Sequence, residues 1–188
     1  MKSIIENECT KISDGFLALR TMAADIEKAA EIWIEAVRSG GKILFCGNGG
    51  SAADAQHLAA ELTGRYEMER RAIAAIALTT DTSALTAISN DYSFQEAFAR
   101  QVEALAKPGD VLFAISTSGN SANVLAAVRK AKSMGVRTIG LTGRGGGALV
   151  ELCDLTLGVP ADRANHIQEM HIAVGHMLCG LLEKALYG

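Results

Sequence analysis

The chain has 188 residues, 49% of them hydrophobic, and a formal net charge of -3. That length supports one domain with a substantial core, and the mildly acidic balance gives no electrostatic reason to expect a nucleic-acid partner. The apolar residues fall in runs too short to span a membrane, and Met1–Glu6 lacks an apolar leader segment. Cys9, Cys46, Cys153 and Cys179 are too scattered for C-x-x-C zinc or redox chemistry, so the expectation is a soluble, reduced, cytoplasmic protein.

In chain order, two helical patterns come first. Ile4, Ile5, Cys9, Ile12, Phe16 and Leu19 trace one apolar stripe, and Ile26, Ile32, Trp33, Ala36 and Val37 a second that ends at Gly40-Gly41. Strands are predicted at 42–46, 73–78, 111–115, 136–141 and 154–159, with helical segments between them. Such alternation predicts an α/β fold, a five-stranded parallel sheet flanked by helices. Gly145-Gly-Gly147 is expected to be a mobile connector. A long amphipathic helix over 164–186 closes the pattern. Together with the helices of 1–39 it offers more apolar stripe than five strands need, which points to a homo-oligomer.

Two strand-to-helix turns carry the chemistry. Lys42-Ile-Leu-Phe-Cys-Gly-Asn-Gly-Gly-Ser51 runs into an Ala-rich helix, and so does Val111-Leu-Phe-Ala-Ile-Ser-Thr-Ser-Gly-Asn-Ser121. Such a turn aims free backbone N–H groups and a helix N-terminus at its contents. Ser51, Ser116, Thr117, Ser118 and Ser121 add hydroxyl donors, and no lysine lies in either turn. Neutral donors suit the single phosphate of a small metabolite. Either turn alone reads as an N-cap and a tight bend, but two on neighbouring units favour a site. Gly47–Ala52 also fits the dinucleotide pattern G-x-G-x-x-A, yet the only acidic candidate after the second strand, Asp81, comes late.

His57 and Glu61 stand four apart on the helix after the first turn and share a face, the spacing of a metal half-site or an acid–base pair. The last helix carries Gln168, Glu169, His171 and His176 among apolar residues. His171 is expected to pack with one satisfied hydrogen bond. Gln168 and His176 are about 12 Å and 80° apart on an ideal helix, awkward for one shared ion. Asn90-Asp91 offers hydroxyl-binding groups or a helix-ending turn.

Gly47-Asn-Gly-Gly-Ser51, Ala55-Gln-His-Leu-Ala-Ala-Glu61, Ser89-Asn-Asp91, Ile115–Ser121 and Ile167-Gln-Glu-Met-His171 together resemble the sugar-isomerase (SIS) domain and, within it, the bacterial phosphoheptose isomerases. The resemblance covers nearly the whole chain. It implies a single SIS domain over 1–188, doubly wound and flavodoxin-like, in a homotetramer with sites at subunit interfaces. It implies isomerisation of sedoheptulose 7-phosphate to D-glycero-D-manno-heptose 7-phosphate, towards the activated heptose of lipopolysaccharide core. By the same resemblance Asn48, Gly49, Gly50, Ser51, Asn90 and Asp91 contact substrate, and Ser116, Thr117, Ser118 and Ser121 grip its phosphate. His57, Glu61, Gln168 and His176 match the family's zinc (Zn2+) site, and Glu61 and Gln168 also face substrate. One departure is His166, where the family commonly has Arg.

The residues suit the implied chemistry. Moving a proton between two carbons through an enediol needs a base and an acid, for which Glu61 and His176 are the candidates. Zinc would polarise the carbonyl. Some SIS relatives are regulators, including one that binds the replication initiator, but there the glutamate and final histidine are replaced. This chain keeps both. Other phosphosugar isomerases of this fold usually carry extra domains or a differently placed histidine.

Overall fold

The computed structural model describes residues 1–188. All five expected strands form: β1 Ile43–Cys46, β2 Ala75–Ala77, β3 Val111–Ile115, β4 Arg137–Thr142 and β5 Leu155–Gly158. Every neighbouring pair is parallel, in the order β2-β1-β3-β4-β5. That is the doubly wound, flavodoxin-like arrangement, whose crevice opens where the strand order reverses, between β1 and β3. Phe45 pairs with Phe113, and Leu141 with Leu157, so the register brings large apolar side chains side by side. Strand β2 is shorter than the predicted 73–78. Ile73 N–H donates instead to the Leu62 carbonyl at 3.0 Å, tying that segment to the helix after β1.

Eight α-helices flank the sheet: α1 Lys2–Ala18, α2 Ala23–Arg38, α3 Gly50–Thr63, α4 Thr82–Asp91, α5 Ala97–Leu105, α6 Ala122–Ser133, α7 Leu149–Leu152 and α8 Ala164–Tyr187. Side chains alternate across each central strand. Ile43, Phe45, Val111, Phe113 and Ile115 face a core shared with α2, α3 and α8. Leu44, Cys46, Leu112 and Ala114 face a second core with α5, α6 and α7. Trp33 of α2 meets Phe45 and Phe113 edge-on, at 5.6 and 5.2 Å between ring centroids. Each such pair contributes about 0.5–1.5 kcal/mol beyond its buried area.

The N-terminal stripe behaves differently from the others. Helix α1 buries no residue within the chain, and Ile4, Ile5, Phe16 and Leu17 stay exposed. No helix is long and apolar enough to cross a membrane.

Candidate active site

Both turns sit at the C-terminal ends of the two central strands. Helix α3 starts at Gly50, directly after Gly49 with φ +56°. In the second turn the Ser116 and Ser121 hydroxyls lie 2.9 Å apart, and Ser118 Oγ accepts from Asn120 N–H at 3.2 Å. Ser121 precedes α6 but its side chain caps none of that helix's N–H groups. Val124 N–H donates to Asn123 Oδ1 at 3.0 Å, which leaves the Ala122 and Asn123 N–H groups at the start of α6 available to an anion.

Two features join these turns to their surroundings. Asn48 and Asn123 exchange reciprocal amide hydrogen bonds, both 2.8 Å, which lock the first turn to α6. The Gly145–Gly147 loop is more than a connector. Asn120 Oδ1 accepts Ala148 N–H and the Gly119 carbonyl accepts Leu149 N–H. The loop lies so close that a Cβ on Gly119 would stand 1.9 Å from the Gly146 carbonyl oxygen. Turn and loop enclose a cavity of about 300 Å³ reaching Thr117, Ser118 and Asp162.

The His/Glu pair acquires a third member from α8, which runs alongside α3. Gly175 allows this approach, since a Cβ there would lie 2.5 Å from Leu58 Cδ2. His176 Nε2 then comes within 3.1 Å of His57 Nε2, which lies 3.0 Å from Glu61 Oε1. Candidate base and acid meet within one chain. The three donor atoms all lie within 4.8 Å of one another. Two imidazole nitrogens and a carboxylate oxygen, partly open to solvent, fit a zinc ion with a position left for a ligand.

Gln168 does not join that trio through its amide nitrogen, which donates to Asp54 Oδ1 at 2.7 Å. The side chain passes over the start of α3, with Cγ 3.4 Å from where a Gly50 Cβ would be. The awkward spacing on α8 is thus resolved by a neighbouring helix that offers Asp54 to Gln168 and His57 to His176. Asp54 is 4% exposed, and its Oδ2 has no partner. Burial raises its pKa against the opposing hydrogen bond from Gln168.

Other sequence candidates find varied places. Asn90 and Asp91 are exposed at the end of α4, bonded to each other at 2.9 Å, and α4 packs on α5 rather than on α3 or α8. Asp81 caps α4 by accepting Ala84 N–H, which gives its carboxylate a structural task. His171 is fully buried and neither ring nitrogen reaches hydrogen-bond geometry. The expected single bond is absent, although the Thr142 backbone lies near enough to offset part of the burial that pulls its pKa down to about 4. His166 and Arg163 both bind Glu8 Oε1, at 2.7 and 2.6 Å, fastening α1 to α8.

Sequence reasoning missed Asp54, Asn123 and Tyr66. For Asp54 a signal existed: it shares the apolar face of α3 with Ala55, Leu58 and Leu62, where a carboxylate is costly unless bonded.

The sequence profile of the SIS domain matches residues 10–143, in accord with the doubly wound sheet and its two hydroxyl-rich turns. Phosphoheptose isomerase of Akkermansia muciniphila is 54% identical over 188 residues, covering 100% of both chains. That of Rhodospirillum rubrum is 56% identical over 186 residues, 99% of each. The solved phosphoheptose isomerase of Neisseria gonorrhoeae superposes with a TM-score of 0.92 at 45% identity, covering 97% of this chain and 98% of that one. The chain belongs to the SIS-domain family and, within it, to the phosphoheptose isomerases. It is an isomerase.

Proposed function

We propose that the protein interconverts sedoheptulose 7-phosphate and D-glycero-D-manno-heptose 7-phosphate in the cytoplasm, supplying activated heptose for lipopolysaccharide core or capsule. The observation that carries this reading is the convergence of His57 and Glu61, on the helix that springs from the first turn, with His176 of α8. In the proposed reaction the second turn holds the phosphate through Ser116, Thr117, Ser118, Ser121 and the α6 N-terminus, fixing the reacting carbons in register. Asn48, Gly49, Gly50, Ser51, Asn90, Asp91 and Gln168 contact the sugar. Gln168 spends its amide nitrogen on Asp54, which leaves its oxygen for a ligand hydroxyl.

Glu61 takes the proton from carbon while His176 protonates the carbonyl oxygen, giving the enediol. Glu61 then returns the proton to the neighbouring carbon as His176 accepts one from the other hydroxyl. His57, within hydrogen-bond distance of both, keeps base and acid in register. Were a zinc ion held by His57, Glu61 and His176, it would supply charge stabilisation to the enediolate oxygens in place of the proton from His176.

The same reading includes a homotetramer. The exposed apolar residues of α1, with Met177 and Leu181 of α8, support it. So does an apolar groove of about 990 Å³ that runs from Phe16 and Leu19 to Tyr66 and His176. Asn90 and Asp91, remote from the trio within one chain, would reach a site only across such an interface. Purified protein incubated with sedoheptulose 7-phosphate should yield the aldose phosphate by NMR. Absence of product with zinc supplied would overturn the substrate assignment.

A further inference from the structure

Tyr66 lies outside both turns and outside the His57–Glu61–His176 trio, yet its ring stacks on the His176 imidazole. The centroids are 5.6 Å apart and the planes differ by 20°. His57 meets the same imidazole edge-on, at 5.0 Å and 62°. One aromatic partner thus sets where Nε2 of His176 points, and the other sets the plane of the ring.

The segment that carries Tyr66 is held unusually firmly. Glu183 Oε1 accepts Tyr66 N–H at 2.9 Å, and its Oε2 accepts Glu67 and Met68 N–H, also at 2.9 Å. Arg70 Nε donates to Glu183 Oε1 at 2.7 Å, with both side chains 2% exposed or less. The same guanidinium donates to the Glu61, Leu62 and Gly64 carbonyls, the C-terminal end of α3. Glu183 lies seven residues beyond His176, two helical turns along the same face of α8. Between them Gly180 lies against the tyrosine ring: a Cβ there would just touch Tyr66 Cε1, at 3.4 Å, and a larger side chain would press into the ring. Loop, α3 terminus and α8 are therefore one unit, built so that a single ring rests against the imidazole.

We propose that Tyr66 is a positioning residue for His176: its stacked face holds the imidazole in the plane that keeps Nε2 beside His57 and Glu61. This rests on the proton-transfer role assigned to His176 above. The stacking face does the work, not the phenol hydroxyl. Displacing a reacting group by about 1 Å can cost 10²-fold in rate, and a ring freed from its stack is displaced by rotation.

The test compares wild type with Tyr66→Phe, Tyr66→Ala and Gly180→Val at matched zinc content, reading kcat and KM for sedoheptulose 7-phosphate and the NMR shift of the His176 ring protons. Tyr66→Phe should keep the native kcat and the upfield shift that a stacked ring imposes. Tyr66→Ala should lose that shift and lower kcat by about 10–100-fold with KM little changed, the signature of a loss confined to the transition state. Gly180→Val, which pushes the ring off its seat while leaving Tyr66 intact, should do the same. A native kcat in Tyr66→Ala, an unmoved His176 shift, or a Tyr66→Phe as impaired as Tyr66→Ala would each overturn the proposal. An inactive wild type would instead overturn the proposed substrate, and the His176 shift would still decide whether Tyr66 holds the ring.

Discussion

Replacing Glu183 by Gln tests whether the buried Arg70–Glu183 pair secures the segment beside the His57–Glu61–His176 trio. The carboxylate accepts four hydrogen bonds at 2.7–2.9 Å, from Tyr66, Glu67 and Met68 N–H and from Arg70 Nε. It is 1% exposed. An amide in its place keeps one acceptor oxygen and turns an NH2 group towards two donors. Two bonds to a charged acceptor are lost, at about 1.5–3 kcal/mol each. Arg70 loses its counter-charge, and breaking a buried pair costs about 3–5 kcal/mol. The two figures describe one event, so the expected loss is about 3–5 kcal/mol. Urea unfolding with an unchanged slope would report it. The Arg70→Met, Glu183→Leu double variant should not recover stability, because three backbone N–H groups and the α3 carbonyls would remain unpaired. A loss below about 1 kcal/mol for Glu183→Gln would refute the reasoning.

The same carboxylate has a pH signature. Burial alone would raise its pKa, but the three backbone N–H groups and Arg70 outweigh it and hold the pKa below the usual glutamate value. Its stability contribution is therefore present above about pH 4.3, the unfolded value, and is lost as pH falls through the lower folded value. Unfolding curves from pH 6 downwards should show wild type losing stability in that acid window more steeply than Glu183→Gln. In the second turn, Ser118→Ala or Ser121→Ala should each weaken substrate binding by about 0.5–1.5 kcal/mol by calorimetry, and unchanged affinity in both would remove them from the phosphate grip. Light scattering should count four chains, and a fully active monomer would contradict the interface assigned to α1 and α8. Zinc should bind wild type and bind His57→Ala far more weakly in a competition titration; equal affinity would separate the trio from any metal.

Much of the fold was legible because central strands advertise themselves. Val111–Ile115 is apolar at every position since both faces are covered, and the Gly/Ser clusters mark where each strand turns into its helix. The limits of β2 were harder to read, because Ile73 is held by the end of α3 and not by the sheet. The stripe on α1 was visible in the sequence, yet α1 buries no residue within the chain. At the site, His57 and Glu61 share one helix, so four-residue spacing brought them together on the page. His176 could be singled out only by its unusual placement and by family likeness. Its approach to His57 depends on Gly175 letting two helices touch, and local spacing carries no trace of that contact. The partners Asp54–Gln168, Asn48–Asn123 and Tyr66–His176 are likewise long-range pairs. Each joins residues 75 to 114 positions apart, which periodicity along one element cannot reveal.

The central claim is that Glu61 moves the proton. It is tested most directly by following sedoheptulose 7-phosphate in deuterated water by NMR, with wild type and Glu61→Gln at matched zinc content. Wild type should form the aldose phosphate and place deuterium on the reacting carbon. Glu61→Gln keeps the shape without the base, so it should bind substrate yet lose exchange and turnover by about 10²–10⁴-fold. Near-native turnover in metal-matched Glu61→Gln would contradict the account and turn attention to Asp91 as the base.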